Sequence, residues 1–170
     1  IILPTMMAAF NANMMAAAGQ VDVSISHNTG GSFSPNATNG LGDIDGVRAV
    51  TVSLNRVVNL PADFVDNNPA TPDRVTAVSL IGIDPETARD LRIYQIQGAG
   101  RFLKAGDTNA TVISQSLADA YRVGLGDTIA LPSVSGTVDL TVVGILPTRT
   151  SPGNEDVLVT LPQAQSMTGQ

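Results

Sequence analysis

GLGDTIALPSVSGTVDLTVVGIL, residues 124–146, carries two runs of alternating polarity around a turn. Val138, Leu140 and Val142 alternate with Thr137, Asp139 and Thr141, the period of two that sets one face of a strand on a core and the other in water. Ile129 and Leu131 repeat the pattern ahead of a turn at 132–136 rich in Ser, Pro and Gly, so two antiparallel strands of a β-meander are expected here. The stretch holds no nucleophile, base or metal-ligand pattern.

Upstream of it, residues 111–114 read as a short strand, and Ser114 caps a helix whose Leu117, Ala118 and Tyr121 face inward. Downstream, the meander closes at Pro147, and an exposed loop at 148–155 with Pro152 and Gly153 leads to a strand at 157–161. Pro162 then starts a last helix carrying Ala164 and Met167. Further upstream, residues 75–83 are apolar and largely β-branched, a strand with both faces partly covered. It ends where Asp84 as N-cap and Pro85 at the first helical position begin a short helix through Leu91.

The first third of the chain is less regular. Residues 1–18 carry no charge, and Met7, Phe10, Met14 and Ala17 or Ala18 recur at helical spacing, with Gly19 as the stop. Pro4, Asn11 and Asn13 interrupt the apolar run, which is short of the about 20 residues a membrane span needs. Two readings stand: the end of such a span, or an amphipathic helix on a sheet. Val21, Val23 and Ile25 alternate with Asp22, Ser24 and Ser26 as a half-buried strand. A polar loop at 28–40 with Phe33 follows, then one or two helical turns at 41–47, then a strand at 48–58 with Val50, Val52 and Leu54 inward. Residues 59–74 hold Pro61, Pro69 and Pro72, which deny them a regular ladder and mark an exposed excursion.

With 170 residues, 43% apolar content and 14% charge, the chain has a folded core. The net charge is -6, and the one lysine, Lys104, and the arginines are scattered, so no basic stripe exists to hold a nucleic acid. Without cysteine there is no disulfide or thiolate, and the single histidine, His27, forms no imidazole cluster. The chain does not begin with methionine or a basic leader and ends on a helix without a following strand, so it is expected to be a piece of a longer protein.

No group emerges as a catalytic, cofactor-binding or metal-binding site. His27 reads as a loop surface residue. Asp63, Asp66 and Asp73 lack the alternation and terminal glutamate of a calcium loop. QGAGR at 97–101 is a turn with a glycine pair that presents Arg101, since neither GxGxxG nor a P-loop lysine is present. Ser114, Gln115 and Ser116 lack a nucleophile elbow, and Asn36-Ala37-Thr38 and Asn109-Ala110-Thr111 match only the short glycosylation sequon.

Several stretches in order carry a resemblance: Gly82-Ile83-Asp84-Pro85, Gly100-Arg101-Phe102, Val112-Ile113-Ser114 with Leu117-Ala118, and Leu125-Gly126-Asp127-Thr128-Ile129. Thr141-Val142-Val143-Gly144-Ile145, Asp156-Val157-Leu158-Val159 and Leu161-Pro162-Gln163-Ala164-Gln165 continue it, with LGDIDGVRAV at 41–50 earlier. Together they resemble the periplasmic or extracellular core domain of MacB-like permeases, the ABC transporters related to LolC, LolE and FtsX. The resemblance implies an α+β fold of two lobes. One is a discontinuous porter-like α/β lobe, residues 1–80 with 152–170, in which residues 1–18 extend from a preceding membrane helix. The other is an inserted β-rich lobe, residues 81–151.

It also implies a non-catalytic extracytoplasmic domain at the cell membrane, without cofactor, that couples ATP-driven motion to an external partner or cargo. Its implied partners are an ABC ATPase subunit or domain, a second permease copy, and an adaptor protein, lipoprotein or peptide, with no nucleic acid. The loops at 59–74 and 148–155 are the expected contact surfaces. The rival reading from the residues is a free-standing secreted module that binds a ligand or metal through its loops.

Overall fold

The structure, a computed structural model, describes residues 23–27, 31, 33–61, 75–90, 94, 96, 100–148 and 154–170. It divides into two units, Ile1–Val50 with Thr87–Tyr94, and Thr51–Glu86 with Gln95–Gln170. The apolar run at 1–18 lies outside the described residues.

In the first unit the described backbone of residues 33–46 is made of turns. Ser34 Oγ accepts from the Asn36 N–H and caps a 3-10 turn, Pro35–Thr38, and a second 3-10 turn follows at Leu41–Asp43. The helix expected over 41–47 does not extend beyond that turn. Gly42 sits inside it, and the left-handed Gly40 and Gly46 bracket it, three residues with the least to gain from a helical backbone. Nor do residues 23–27 form the half-buried strand expected from their alternation: they have no regular structure, and Val23 and Ile25 are exposed. Alternating polarity becomes a strand only beside an edge that takes its N–H and C=O groups, and 23–27 pair with no described strand.

The second unit is built on one six-stranded mixed sheet. In chain order its elements are β1 (Ser53–Asn59), β2 (Ala77–Ile83), α1 (Pro85–Asp90, running on into the first unit), β3 (Ala110–Ser114), α2 (Gln115–Tyr121), β4 (Thr128–Ser133), β5 (Gly136–Leu146), β6 (Glu155–Thr160) and α3 (Leu161–Thr168). The strand order is β1-β2-β6-β3-β5-β4. β1 lies antiparallel to β2, with Ser53 opposite Ile83 and Asn59 opposite Ala77. That register explains why β1 begins at Ser53 and not at Arg48: β2 ends where Asp84 and Pro85 turn into α1, so residues before Ser53 have no strand opposite them. Val52 is accordingly exposed, while Leu54 is buried.

β6 runs parallel to β2, pairing Val78 with Glu155 through Ile83 with Thr160. β3 pairs with β6 antiparallel only at Val112 with Leu158 and Ile113 with Val157. On its other side β3 runs parallel to β5, with a register shift between Thr111 and Val112. The hairpin expected from the alternation is present, tighter than expected: Ser133 pairs with Gly136, leaving Val134 and Ser135 as a two-residue turn. Gly136, the first residue of β5, has φ 122, a value that glycine adopts without strain.

Ile129, Leu131, Leu140 and Val142 point to one apolar cluster. The same cluster takes Leu54, Val78 and Leu80 from β1 and β2, Val157 and Val159 from β6, Leu117 and Ala118 from α2, and Ala164 and Met167 from α3. One core therefore serves all six strands. β1 and β4 are the two edges of the sheet, yet Arg56 to Asn59 and Pro132 to Val134 line one crevice together with Met167 and Thr168 of α3. The sheet thus curls until its edges face each other, and α3 lies in the mouth. Two hydrogen bonds tie the mouth: Val134 N donates to Met167 O at 2.9 Å, and Arg56 Nη2 to Gln170 Oε1 at 2.8 Å.

Candidate functional site

Ser114 has both roles its position allows. Its Oγ accepts from the Leu117 N–H as the α2 N-cap and donates to Glu155 Oε2 at 2.6 Å. Ser116, in the first turn of α2, donates to the same oxygen at 2.5 Å. Glu155 opens β6, so one carboxylate oxygen gathers two hydroxyls from the end of β3 and the start of α2. The arrangement joins the start of β6 to the junction of β3 and α2.

At the opposite end of the same strand pair, Asn109 N donates to Gln163 Oε1 at 3.2 Å and Thr160 Oγ1 to Asp107 O at 3.2 Å. Between the two ends the buried Thr111 Oγ1 donates to Leu158 O at 2.9 Å. Glu155, Gln163 and Thr160 were not legible in the sequence as partners of Ser114, Asn109 and Asp107. Their separations of about forty to fifty residues follow no local spacing rule, and only the strand order brings them together.

Arg101, which the glycine turn was expected to present, instead folds back on its own loop. Its guanidinium makes a two-pronged pair with Asp107, at 2.6 Å to Oδ2 and 3.1 Å to Oδ1. Asp107 Oδ2 also accepts from the Lys104 N–H at 2.9 Å. The Arg101 hydrogen bond is the main cause holding the Asp107 carboxyl below its ordinary value, with the Lys104 N–H adding to it against the opposing effect of burial. The same bond raises Arg101. The loop lies on β5 because Arg101 N donates to Val143 O at 2.8 Å, and Gly144 admits it: a Cβ there would stand 2.2 Å from the Arg101 carbonyl oxygen.

His27 Nδ1 accepts from the Gly31 N–H at 3.3 Å, and its ring meets Phe33 edge-on at 5.8 Å, a local loop contact. Asn36 is exposed on its 3-10 turn, whereas Thr111 of the second sequon is fully buried in β3. Asp63, Asp66 and Asp73, residues 97–99, and most of the expected contact loops at 59–74 and 148–155 are outside the described residues.

Two open crevices mark the unit. One, of 570 Å³, lies at the carboxyl ends of the parallel strands β2 and β6 and is lined by Ile83, Pro85, Asp107, Thr160, Leu161 and Pro162 among others. The other, of 370 Å³, is the mouth between β1, the hairpin turn and α3. Among the described residues no three His, Cys, Asp or Glu side chains converge as metal ligands, and no helix is long and apolar enough to cross a membrane.

The family of MacB-like periplasmic core domains matches residues 4–170. Among solved structures, the extracellular domain of the noncanonic ABC-type transporter YknZ from Gram-positive bacteria is similar in fold. It aligns at 21% identity with a TM-score of 0.57, covering 82% of this chain and 68% of that one. A domain assigned to a permease protein from Porphyromonas gingivalis aligns at 16% identity and a TM-score of 0.42, over 72% of this chain and 57% of that one. No curated protein matches the chain at a significant level. On the match over residues 4–170, the chain belongs to the MacB-like periplasmic core domain family.

Proposed function

We propose that this chain is the non-catalytic moving part of its transporter: it receives ATP-driven motion through membrane helices and passes it to an external partner or cargo. Membership of the core-domain family over residues 4–170 carries this reading. ATP is then hydrolysed on a separate cytoplasmic ATPase subunit or domain, two permease copies act together, and an adaptor protein, lipoprotein or peptide is met outside. Glu155 with Ser114 and Ser116 supports a mechanical role, since this polar cluster ties the start of β6 to the junction of β3 and α2.

The proposed division into two lobes, 1–80 with 152–170 and 81–151, agrees with the strand order. β1, most of β2, and β6 fall in the porter-like lobe, and β3, β5 and β4 in the inserted one; each set occupies one half of the sheet. The boundary between the sets is the β6–β3 seam, where only two residue pairs are in register.

The test is to excise residues 23–170 from the complete transporter and close the gap with a short Gly/Ser linker. Basal ATPase activity is expected to persist while export is lost. Export at the unaltered rate would overturn the proposal.

A further inference from the structure

We infer that the β3–β6 seam is a pivot about which the two halves of the sheet turn, and that Glu155 with Ser114 and Ser116 is the clasp that holds it shut. The clasp deepens the moving-part reading above and rests on that reading only for what the motion serves. The seam has two register pairs, against seven between β1 and β2, six between β2 and β6, and six between β4 and β5.

Side chains complete what that short ladder leaves undone. Ser114 and Ser116 on Glu155 close one end, Thr111 Oγ1 on Leu158 O crosses the middle, and Asn109 N on Gln163 Oε1 with Thr160 Oγ1 on Asp107 O close the other. A long backbone ladder opens cooperatively or not at all, but bonds made by rotatable hydroxyls, carboxylates and amides release one at a time and re-form without rebuilding a strand.

The core sets the kind of motion. Ile113 and Val157 are paired across the seam, and both belong to the apolar cluster that also holds Leu80 and Val159 from one half and Leu131 and Leu140 from the other. Separating the halves would expose that cluster to water. Turning them about the line of Ile113 and Val157 keeps it packed, so the motion available at low free energy is a hinge at the seam.

Native-state amide hydrogen exchange on the 170-residue chain tests this. In the unaltered protein the two amides that cross the seam, which belong to one of the pairs Val112 with Leu158 and Ile113 with Val157 because bonded and unbonded pairs alternate along an antiparallel ladder, are expected to exchange faster than those of Leu80 and Leu140 in the longer ladders. Glu155→Gln, which removes a charge-assisted acceptor and keeps the shape, should speed exchange at those two cross-seam amides by about tenfold and leave Leu80 and Leu140 unchanged. Ser116→Ala, which spares the Ser114 cap, should give the same pattern at smaller amplitude and covers the case in which the first variant fails to fold. Uniform acceleration at all these amides, or no change at the seam, would overturn the pivot. Selective acceleration in a chain whose excision leaves export intact would uphold the pivot and remove the transporter role, so the two readings fail separately.

Discussion

Arg101 and Asp107 show what a residue's neighbours do to a reading made from its position. A glycine turn that presents an arginine suggests a free cation; the structure spends that cation on Asp107 two-pronged at 2.6 and 3.1 Å, and the pair pins the loop that crosses β5. The sequence contained both residues six apart but not the crossing that makes them meet, which depends on Gly144 yielding room to the Arg101 carbonyl. The consequence for pH has a definite sign. Asp107 titrates below its ordinary value of 3.8 in the folded chain, so its stabilising contribution is present above that value and is lost as pH falls through the lower folded one. Asp107→Asn should therefore lower the melting temperature at neutral pH, and the gap to the unaltered protein should narrow as pH drops from 4 towards 2, values set by the ordinary carboxylate range at about 4. A gap that stays constant over a melting series from pH 6 to about pH 2 would mean the pair contributes nothing through its charge.

Elements with their own signals were the most legible. Asp84 caps α1 as expected, its Oδ1 accepting from the Glu86 N–H at 3.0 Å, and Ser114 caps α2. Caps and alternating hairpins are decided by contacts within a few residues, which is why β4, β5 and α2 could be read directly. The two failures, at 23–27 and 41–47, are segments whose periodicity needed a partner or a better helix-forming composition than Gly40, Gly42 and Gly46 provide. The seating of α3 was not legible at all. Gly82 in β2 looks like a weak point in a strand, yet a Cβ there would stand 2.4 Å from the Ala164 Cβ and 3.3 Å from the Leu161 Cα, so the helix rests directly on the strand backbone. Gly82→Ala should cost about 1–3 kcal/mol by overpacking, read from the urea midpoint, and Ala164→Gly in the same chain should recover part of it. No loss on Gly82→Ala would show that α3 can lift without penalty.

For the molecule as a whole, the balance lies between a divided sheet and an undivided core. Leu80 on β2 and Leu131 on β4 sit in opposite halves of the strand order, and both are nearly sealed from solvent within the one apolar cluster. Leu80→Ala and Leu131→Ala should each cost about 2–5 kcal/mol and shift one and the same unfolding transition, seen together by far-UV circular dichroism and by methyl NMR signals from both halves. Two separated transitions would mean that the halves melt as independent lobes.

By itself the amino-acid sequence determined the hairpin, the caps, the buried faces of β2, β5 and α3, the absence of a basic nucleic-acid surface, and the family, because these depend on local spacing and on the order of short motifs. Only the tertiary structure decided that β6 joins the sheet between β2 and β3, and with it the Glu155 cluster, the Gly82 and Ala164 contact and the shared core. The physical reason is that pairing β6 with β3 and β2, across 44 to 77 residues, is chosen by which apolar faces can be buried at once, and no single window of the chain contains both partners.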